Sequence, residues 1–592
     1  MHSIPRRPFY SLAVLAAVGL LTPTAAQAAQ AARPSAAKLL PANTLAVVSV
    51  VNAPDLAQRF MNTAMGKMSQ DPQLKPLIGQ FYGSLNEAVA EVKDRIGLTL
   101  PEILALFQGE VTFAVVPGKD APPAFIFLID TGNQIANARK MLEKGEAAAD
   151  QRGAKKSEEK VGDTKLTIFD STRQEGRRAA YFEKDTTIVV GTDVEVLKNL
   201  LSVWEGQKAP TLSENANYAA VMSRCGTKDA PPQVAFYVDP VAIMKTIGER
   251  NTGVRLAVTM LPALGLDGLT GLGGTLAMDC DQYDSVMHVH VLLETPRSGV
   301  VKMIAMQPGD VQPERWIPGD VADYTTLHWN LEQTYKTLGV VYDSFRGDGA
   351  LARDVQQRLS GTTGIDFEKE ILPALDGRIT IAHRIERPVT LRSRATVVGL
   401  KLKDAELGGK TIDKLVEKFP DRFTKKTYAG KTYYEVKIPA PADLPEDQRP
   451  PVPCFGVLDG YAVITDRVSL YEKLAVTLSE GKSLADELDF KLVASKIERQ
   501  NGETKPAMVS FNRPEEGMRF LYDLATSDRA RQSLSRGAEN SRFFKSVDEA
   551  LKQNPLPPFA VLQKYLAPGG AVIVDDETGI HYSAFSLRRK GE

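Results

Sequence analysis

The sequence is short of several residue types that mark specialised classes of protein. Only 3 of its 592 residues are cysteines, Cys225, Cys280 and Cys454, and aromatic residues make up 7% of the chain. Three scattered cysteines exclude both a disulfide framework and a cysteine-based zinc site. The 72 Lys and Arg residues are offset by 73 Asp and Glu residues, a net charge of −1. Without a basic field, nucleic acid is not expected as a partner.

Long apolar runs are also missing, so we expect no transmembrane helix in the mature protein. A membrane-spanning helix needs about 20 apolar residues. The run Phe9 to Leu21 has 13. The segment Leu256 to Met278 is interrupted by Asp267 and by several glycines, which weaken a helix, and we expect it to form a buried turn and strand.

Residues 1–32 have the pattern of a signal peptide. Arg6 and Arg7 precede the apolar run, and small residues follow it. Two A-x-A motifs predict cleavage between Ala28 and Ala32. An uncleaved anchor is the alternative, and the pattern favours the general secretory route over twin-arginine export. The protein is therefore expected in the periplasm or cell envelope, or secreted.

The remaining sequence contains an internal duplication, in which four pairs of segments recur in the same order at a lag of about 270 to 300 residues. The pairs are Leu40–Ala46 with Ile317–Ala322, Gln108–Thr112 with Asp376–Thr380, Val190–Asp193 with Val463–Asp466, and Gly273–Gly274 with Gly569–Gly570. The Thr-Asp of the third pair predicts a helix N-cap in both copies, because a short oxygen acceptor satisfies free N–H groups.

These patterns predict two tandem similar units, at 38–308 and 309–592. Short strands come in adjacent pairs, and amphipathic helices separate the pairs. Adjacent strands with short connections pair antiparallel. We therefore predict an α+β fold, each unit having a mainly antiparallel sheet with helices covering one face.

Three segments of the first unit resemble an uncharacterised family of secreted domains of unknown function that is common in planctomycete-type bacteria. They are Leu39 to Phe60, Asp71 to Ile78 and Ile96 to Val116. The second unit matches more loosely. The resemblance implies a fold but no activity, so it supplies no catalytic residues and no cofactor.

His288 and His290 form the sharpest candidate metal site. Alternate residues of a strand share one face, as a metal-binding pair requires. The sequence does not name a third ligand, although Asp281 and Asp284 are near in the preceding turn. Aligning the closing strands puts Tyr582 and Ala584 at the corresponding positions of the second unit. A surface strand with no metal is the alternative.

Other motifs do not indicate catalysis. The glycine-rich run 265–274 lacks the Lys-Ser/Thr pair of a phosphate-binding loop and predicts a turn and strand start. No G-x-S-x-G motif occurs. Trp204, Trp316 and Trp329 are candidates for a sugar-binding platform, with core packing as the alternative.

The sequence thus favours an exported, non-catalytic scaffold or binding protein of the cell envelope. Its partner would be an unknown envelope protein, glycan or lipid. Two alternatives stay open: an envelope hydrolase, metal-assisted through His288 and His290, and a carrier of an apolar ligand.

Overall fold

The computed structural model describes residues 33–79, 98–118, 122–171, 178–226, 231–438, 450–502, 504–527 and 542–589. The predicted signal peptide lies outside these ranges. Among the residues described, no helix combines the length and the apolar character needed to cross a membrane.

The described residues contain twenty strands, which belong to one sheet. The first ten are β1 Ala46–Val50, β2 Val111–Val116, β3 Ala124–Asp130, β4 Lys155–Val161, β5 Thr164–Asp170, β6 Arg178–Lys184, β7 Thr187–Gly191, β8 Val234–Val238, β9 Leu269–Met278 and β10 Tyr283–Leu293. The second ten are β11 Asp323–His328, β12 Leu375–Ile385, β13 Arg394–Leu402, β14 Phe423–Tyr428, β15 Lys431–Val436, β16 Cys454–Leu458, β17 Tyr461–Thr465, β18 Met508–Asn512, β19 Gly569–Asp576 and β20 Gly579–Leu587.

Helices connect the strands throughout the described ranges. In the first half they are α1 Ala53–Asn62, α2 Ala64–Gln70, α3 Leu100–Ala105, α4 Ile135–Gln151, α5 Val194–Trp204, α6 Ala216–Cys225, α7 Pro240–Gly248 and α8 Thr252–Leu264. In the second half they are α9 Leu331–Arg346, α10 Ala350–Val355, α11 Gly361–Thr363, α12 Ala405–Lys418, α13 Val468–Glu480, α14 Leu488–Asn501, α15 Pro514–Thr526, α16 Arg542–Gln553 and α17 Phe559–Gln563. The predicted α+β class is confirmed.

Every strand pairing is antiparallel, and the order repeats. In the first half the order across the sheet is β4-β5-β6-β7-β3-β2-β1-β8-β9-β10. In the second half it is β14-β15-β16-β17-β13-β12-β11-β18-β19-β20. The two series meet where β10 pairs with β20. We call this β10–β20 ladder the seam.

One face of the sheet, the covered face, carries most of the core. In the first half α5 and α6 pack on it, and their Leu197 and Val221 join a cluster with Ile126 and Tyr237 of the strands. In the second half Leu474 of α13 and Val493 of α14 do the same, and this cluster extends across the seam to Ala277 and Val286 of the first half. The core of the second half therefore extends across the seam into the first.

The opposite face, the open face, is covered only in part. Side chains alternate along a strand, so Ile188 and Val190 of β7 point away from the α5 side. They pack instead against Ala138 and Leu142 of α4. The rest of the open face in β1 to β3 retains exposed apolar side chains, which are described with the candidate sites.

Two ion pairs, the second of them buried between Arg378 and Glu314, occupy the same ladder position in the two halves with their charges exchanged. In the first half, Arg33 Nη2 lies 2.7 Å from Glu110 Oε2, just before β2. The residue at the position of Glu110 in the second half is Arg378, which lies 3.1 Å from Asp310 and 3.0 Å from Glu314. A charge reversal preserves the attraction. Each pair joins the segment that precedes the first strand to the sheet.

The two free edges of the sheet, β4 and β14, are polar. All residues of β4 except Val161 are exposed, and they include three lysines and two glutamates. In β14, Lys425 and Lys426 are exposed.

Two sequence predictions need correction, and the first is the helix cap expected in both halves. Asp193 does cap α5, by accepting from the N–H groups of Glu195 and Val196. The N-cap of α13 is Arg467, without a side-chain cap bond, because Asp466 accepts instead from the backbone N–H of Thr396. The segment 256–278 is a strand only from Leu269 onward, and its first part belongs to the exposed helix α8.

A polar contact joins the N-terminal helices to the end of the chain. Tyr565 donates to Asp71 Oδ2 at 2.7 Å, and Lys564 Nζ lies 2.7 Å from the same oxygen. Lys564, the backbone N–H of Gln73 and Tyr565 together lower the pKa of the buried Asp71 to about 2. This contact links the first half to the second outside the sheet.

We expect Arg378→Met to lower the free energy of unfolding by about 3–5 kcal/mol, because it removes the cationic partner of the buried Glu314 carboxylate and leaves only the hydrogen bonds from Tyr324 and Thr380. Denaturant unfolding followed by circular dichroism measures the change. Arg315→Met is the matched control, since Arg315 is exposed and its pair with Asp459 is screened by solvent, so the loss of stability should be much smaller. Equal effects of the two variants would show that the Glu314 site tolerates an unpaired charge.

Asp71→Asn should lower the free energy of unfolding by about 1 kcal/mol at pH 7. The effect is small for a buried carboxylate because Lys564, its ionic partner, is half-exposed and solvent weakens the attraction. The folded pKa of Asp71 is below its usual value of 3.8. Its contribution is therefore present above about pH 4 and is lost as the pH falls toward 2. Melting temperatures of wild type and variant, measured from pH 7 to pH 2.5, should differ progressively less toward the acid end. A constant difference over this range would rule out the ionic contribution.

Candidate functional site

The predicted histidine pair lies at the centre of the sheet, on the seam. His288 and His290 share the covered face, as the sequence predicts. In the β10–β20 register, Ser583 is directly opposite His288 and His581 is directly opposite His290. The fold therefore brings a third histidine, His581, onto the same face, and we call these three the seam histidines.

The seam histidines contact one another. His288 Nδ1 lies 3.2 Å from His581 Nε2, with the two rings stacked at a centroid distance of 5.3 Å. The ring of His290 is 5.7 Å from that of His581, tilted by 44°. One tautomer assignment satisfies the first contact, with one nitrogen donating and the other accepting.

Several polar atoms at the seam have no hydrogen-bond partner among the described residues. The side chain of His290 is 1% exposed, and neither ring nitrogen makes a hydrogen bond of normal geometry, although backbone groups of Thr578 and Ile580 interact with the ring. His581 Nδ1 and the buried hydroxyl of Ser583 are unpaired as well. A buried polar atom without a partner costs about 1–3 kcal/mol, so such a group at one place is a candidate ligand site.

Burial keeps the seam histidines neutral. It lowers the pKa of His288 and, together with the charge of Arg224, the pKa of His290. Burial and the proximity of His288 lower the pKa of His581 to about 3. At neutral pH each imidazole therefore presents one unprotonated ring nitrogen.

The surroundings of the seam are close-packed on the side of α6. A Cβ atom on Gly273, opposite His290 in β9, would lie 2.8 Å from Val221 of α6, so glycine is needed for the helix to approach. Cys225 ends this helix, and burial raises the pKa of its thiol to about 12. All three cysteines are buried thiols and form no disulfide. Arg224 and Asp576 form an ion pair nearby.

The structure also shows which predicted positions do not assemble. Asp284 accepts a hydrogen bond from the N–H of Ala64, and Asp281 is exposed. Across the described ranges, no three His, Cys, Asp or Glu side chains already have an arrangement that could hold a metal ion. The metal site at His288 and His290 stays a prediction.

One alignment in the sequence prediction was wrong by one residue. The strand pairings from β1 through β8 and β9 to β10 can be matched with those from β11 through β18 and β19 to β20. In this match, the positions of His288 and His290 are occupied by Ser583 and Phe585, not by Tyr582 and Ala584. Strand β20 has its own histidine one pair away, which sequence reasoning did not connect with the site. The expectation that the closing strands of both halves pair with each other would have brought β20 next to β10, but the register would still have been needed to place His581.

The remaining sequence candidates have structural roles. Trp316 is fully buried and Trp204 nearly so, which favours core packing over a sugar platform. The glycine-rich run forms the left-handed end of α8 at Gly265 and the start of β9, as predicted. His328 contacts the backbone carbonyl of Asp310, and His383 contacts the carboxylate of Asp323.

A second candidate lies on the open face of the first half. Val48, Phe113 and Phe127 are neighbours in one ladder row across β1, β2 and β3, and Phe125 stacks on Phe113 with centroids 6.1 Å apart. Their exposed fractions lie between 37% and 50%. We call these four residues the aromatic patch. Hydrophobic alternation cannot identify the exposed face of these strands, because they carry apolar side chains on both faces.

Comparison with known proteins gives a family-model match to part of the chain but no function. Residues 14–294 match the model of a family described as a protein of unknown function, DUF3352, and the match ends one residue after β10. This supports the resemblance to an uncharacterised family, while the bacterial group and secretion stay predictions. No curated protein and no solved structure matches the chain.

Proposed function

We propose that this is an exported binding protein of the cell envelope that holds the acyl chain of a lipid on its aromatic patch. The observation that carries the proposal is the exposure of Phe113, Phe125 and Phe127 on one face of a rigid sheet. Contiguous apolar surface on a folded protein marks interaction sites.

The second half provides an internal comparison for the patch. The ladder positions of Val48, Phe113, Phe125 and Phe127 are occupied in the second half by Thr325, Ile381, Thr396 and Val398. These side chains are half-buried, and none is aromatic. The same arrangement of strands therefore forms without exposed phenylalanines, which supports a role for them other than folding.

The size and chemistry of the patch favour an acyl chain over the other partners. At about 200 Å² for a fully exposed phenylalanine, the three rings expose roughly 250 Å². A stable protein interface buries about 800 Å² on each partner. Phenylalanine also lacks the polar group with which tyrosine or tryptophan would contact a glycan.

We infer further that the chain consists of two copies of one unit, at 38–308 and 309–592. The repeated order of strand pairing and the exchanged ion pairs at Glu110 and Arg378 support this division. The family match ends at residue 294, close to the proposed joint. The second copy would then serve as the scaffold against which the first is held.

The alternative of a metal-assisted hydrolase is less well supported. A substrate would have to reach His290, whose side chain is 1% exposed beneath the helices of the covered face.

A triple variant tests the proposed site. We expect the mature protein to bind vesicles of phosphatidylethanolamine and phosphatidylglycerol, and Phe113→Ser/Phe125→Ser/Phe127→Ser to weaken binding at least 30-fold, about 2 kcal/mol. Complete burial of about 250 Å² of apolar surface would contribute at most roughly 6 kcal/mol, so the expected loss is about a third of that limit. Vesicle co-sedimentation over a range of lipid concentrations measures the change.

The matched control is Ile381→Ser/Val398→Ser, at the corresponding positions of the second half. Binding should be unchanged in the control. No vesicle binding by wild type, or an equal loss in both variants, would contradict a lipid site in the first half. Co-purification of an envelope protein that depends on the three phenylalanines, without vesicle binding, would replace the lipid by a protein partner.

Export makes a separate prediction. The protein isolated from its native host should be found in the envelope or extracellular fraction, with its N-terminus between residues 29 and 33 as determined by N-terminal sequencing. Recovery from the cytosol with residues 1–32 intact would contradict export, while an intact N-terminus in the membrane fraction would indicate the uncleaved anchor.

A further inference from the structure

We propose that the seam histidines bind a transition-metal ion, best matched by Zn²⁺, with His288 Nδ1 and His581 Nε2 as two ligands and His290 as the third. The ion would join β10 to β20 and so connect the two halves of the chain. The proposal does not depend on the lipid site.

The spacing of the first two ligands fits a shared ion. Their nitrogens are 3.2 Å apart. Two imidazole nitrogens that each lie about 2.0–2.1 Å from Zn²⁺ are separated by this distance when the angle at the metal is about 100°, near the tetrahedral value. Imidazole nitrogen is a preferred ligand of Zn²⁺, Cu²⁺ and Ni²⁺.

The unpaired atoms supply the second, independent argument. The direct contact between His288 and His581 satisfies one nitrogen of each ring. Among the described residues, it leaves His581 Nδ1 and both nitrogens of the almost completely buried His290 without a hydrogen bond of normal geometry, His290 having only weaker interactions with the backbone of Thr578 and Ile580. A metal ion would accept a lone pair from His290 and so remove part of this cost.

The third ligand has to move. No three such side chains of the described chain already surround one point. His290 is directly opposite His581 in the ladder, with ring centroids 5.7 Å apart, so a change in its ring orientation is the smallest step that completes the site. Ser583, opposite His288, has an unpaired hydroxyl that can hold a water molecule as fourth ligand.

Burial makes the site structural rather than catalytic. A catalytic metal keeps a position open to substrate, whereas a structural metal is enclosed by its ligands. The seam histidines lie on the covered face, near α6, and the core crosses the seam. Metal binding should therefore stabilise the folded chain.

Titration of the chelator-treated mature protein with ZnCl₂ tests the proposal. We expect about one Zn²⁺ per chain with a dissociation constant below about 1 µM, and a rise in melting temperature of about 2 to 4 °C in excess Zn²⁺. His290→Phe and His581→Phe should each weaken binding at least about 100-fold. His383→Asn, four strands from the seam, is the control and should bind as wild type does.

Two results would overturn the proposal. One is binding of less than about 0.2 equivalents of Zn²⁺ by wild type, and the other is unchanged affinity in both seam variants, which would place the ion elsewhere. If the seam variants do not fold, the spectrum of the Co²⁺-loaded wild type decides. Visible bands of four-coordinate Co²⁺ with nitrogen ligands support the site, and the pale spectrum of hydrated Co²⁺ excludes it.

Discussion

The antiparallel ladder between β10 and β20 is the interaction on which the rest of the structure depends. Its nine residue pairs turn two series of ten strands into one sheet and let the core of the second half extend into the first. Because the two strands hold the same place in their halves, the ladder relates the halves by a local twofold arrangement, centred where His288 faces Ser583. Any residue near this centre lies close to its own counterpart. A side chain introduced in one strand therefore meets the other half, and the seam combines residues that are far apart in sequence.

Much of the architecture could be predicted from the sequence, whereas the site could be predicted only in part. Short strands in adjacent pairs, separated by amphipathic helices, were enough to predict an antiparallel α+β fold. The alternation at His288 and His290 correctly put both on one face. Their contact with His581 depends on strand register across about 290 residues, which hydrophobic pattern does not fix. One position of slip in the alignment of β20 was enough to replace Ser583 and Phe585 by Tyr582 and Ala584.

The two halves show which features the fold requires. Glycine recurs where a helix approaches the sheet: Gly273 lies under Val221 of α6, and Gly570 lies under Val493 of α14. The ion pair recurs with exchanged signs at Glu110 and Arg378. The open face is different, since phenylalanines in one half stand where smaller side chains stand in the other. Packing requirements thus account for what is shared, and the proposed binding function is located where the halves differ.

The polar edge strands bear on how the molecule behaves in a crowded compartment. A sheet this wide offers unpaired backbone groups at β4 and β14, and uncharged edges of that kind pair with those of other molecules. Placing lysines and glutamates along β4 and lysines on β14 makes such pairing unfavourable, because each docked strand would have to desolvate several charges. The charged edges therefore oppose end-to-end growth of the sheet into fibrils.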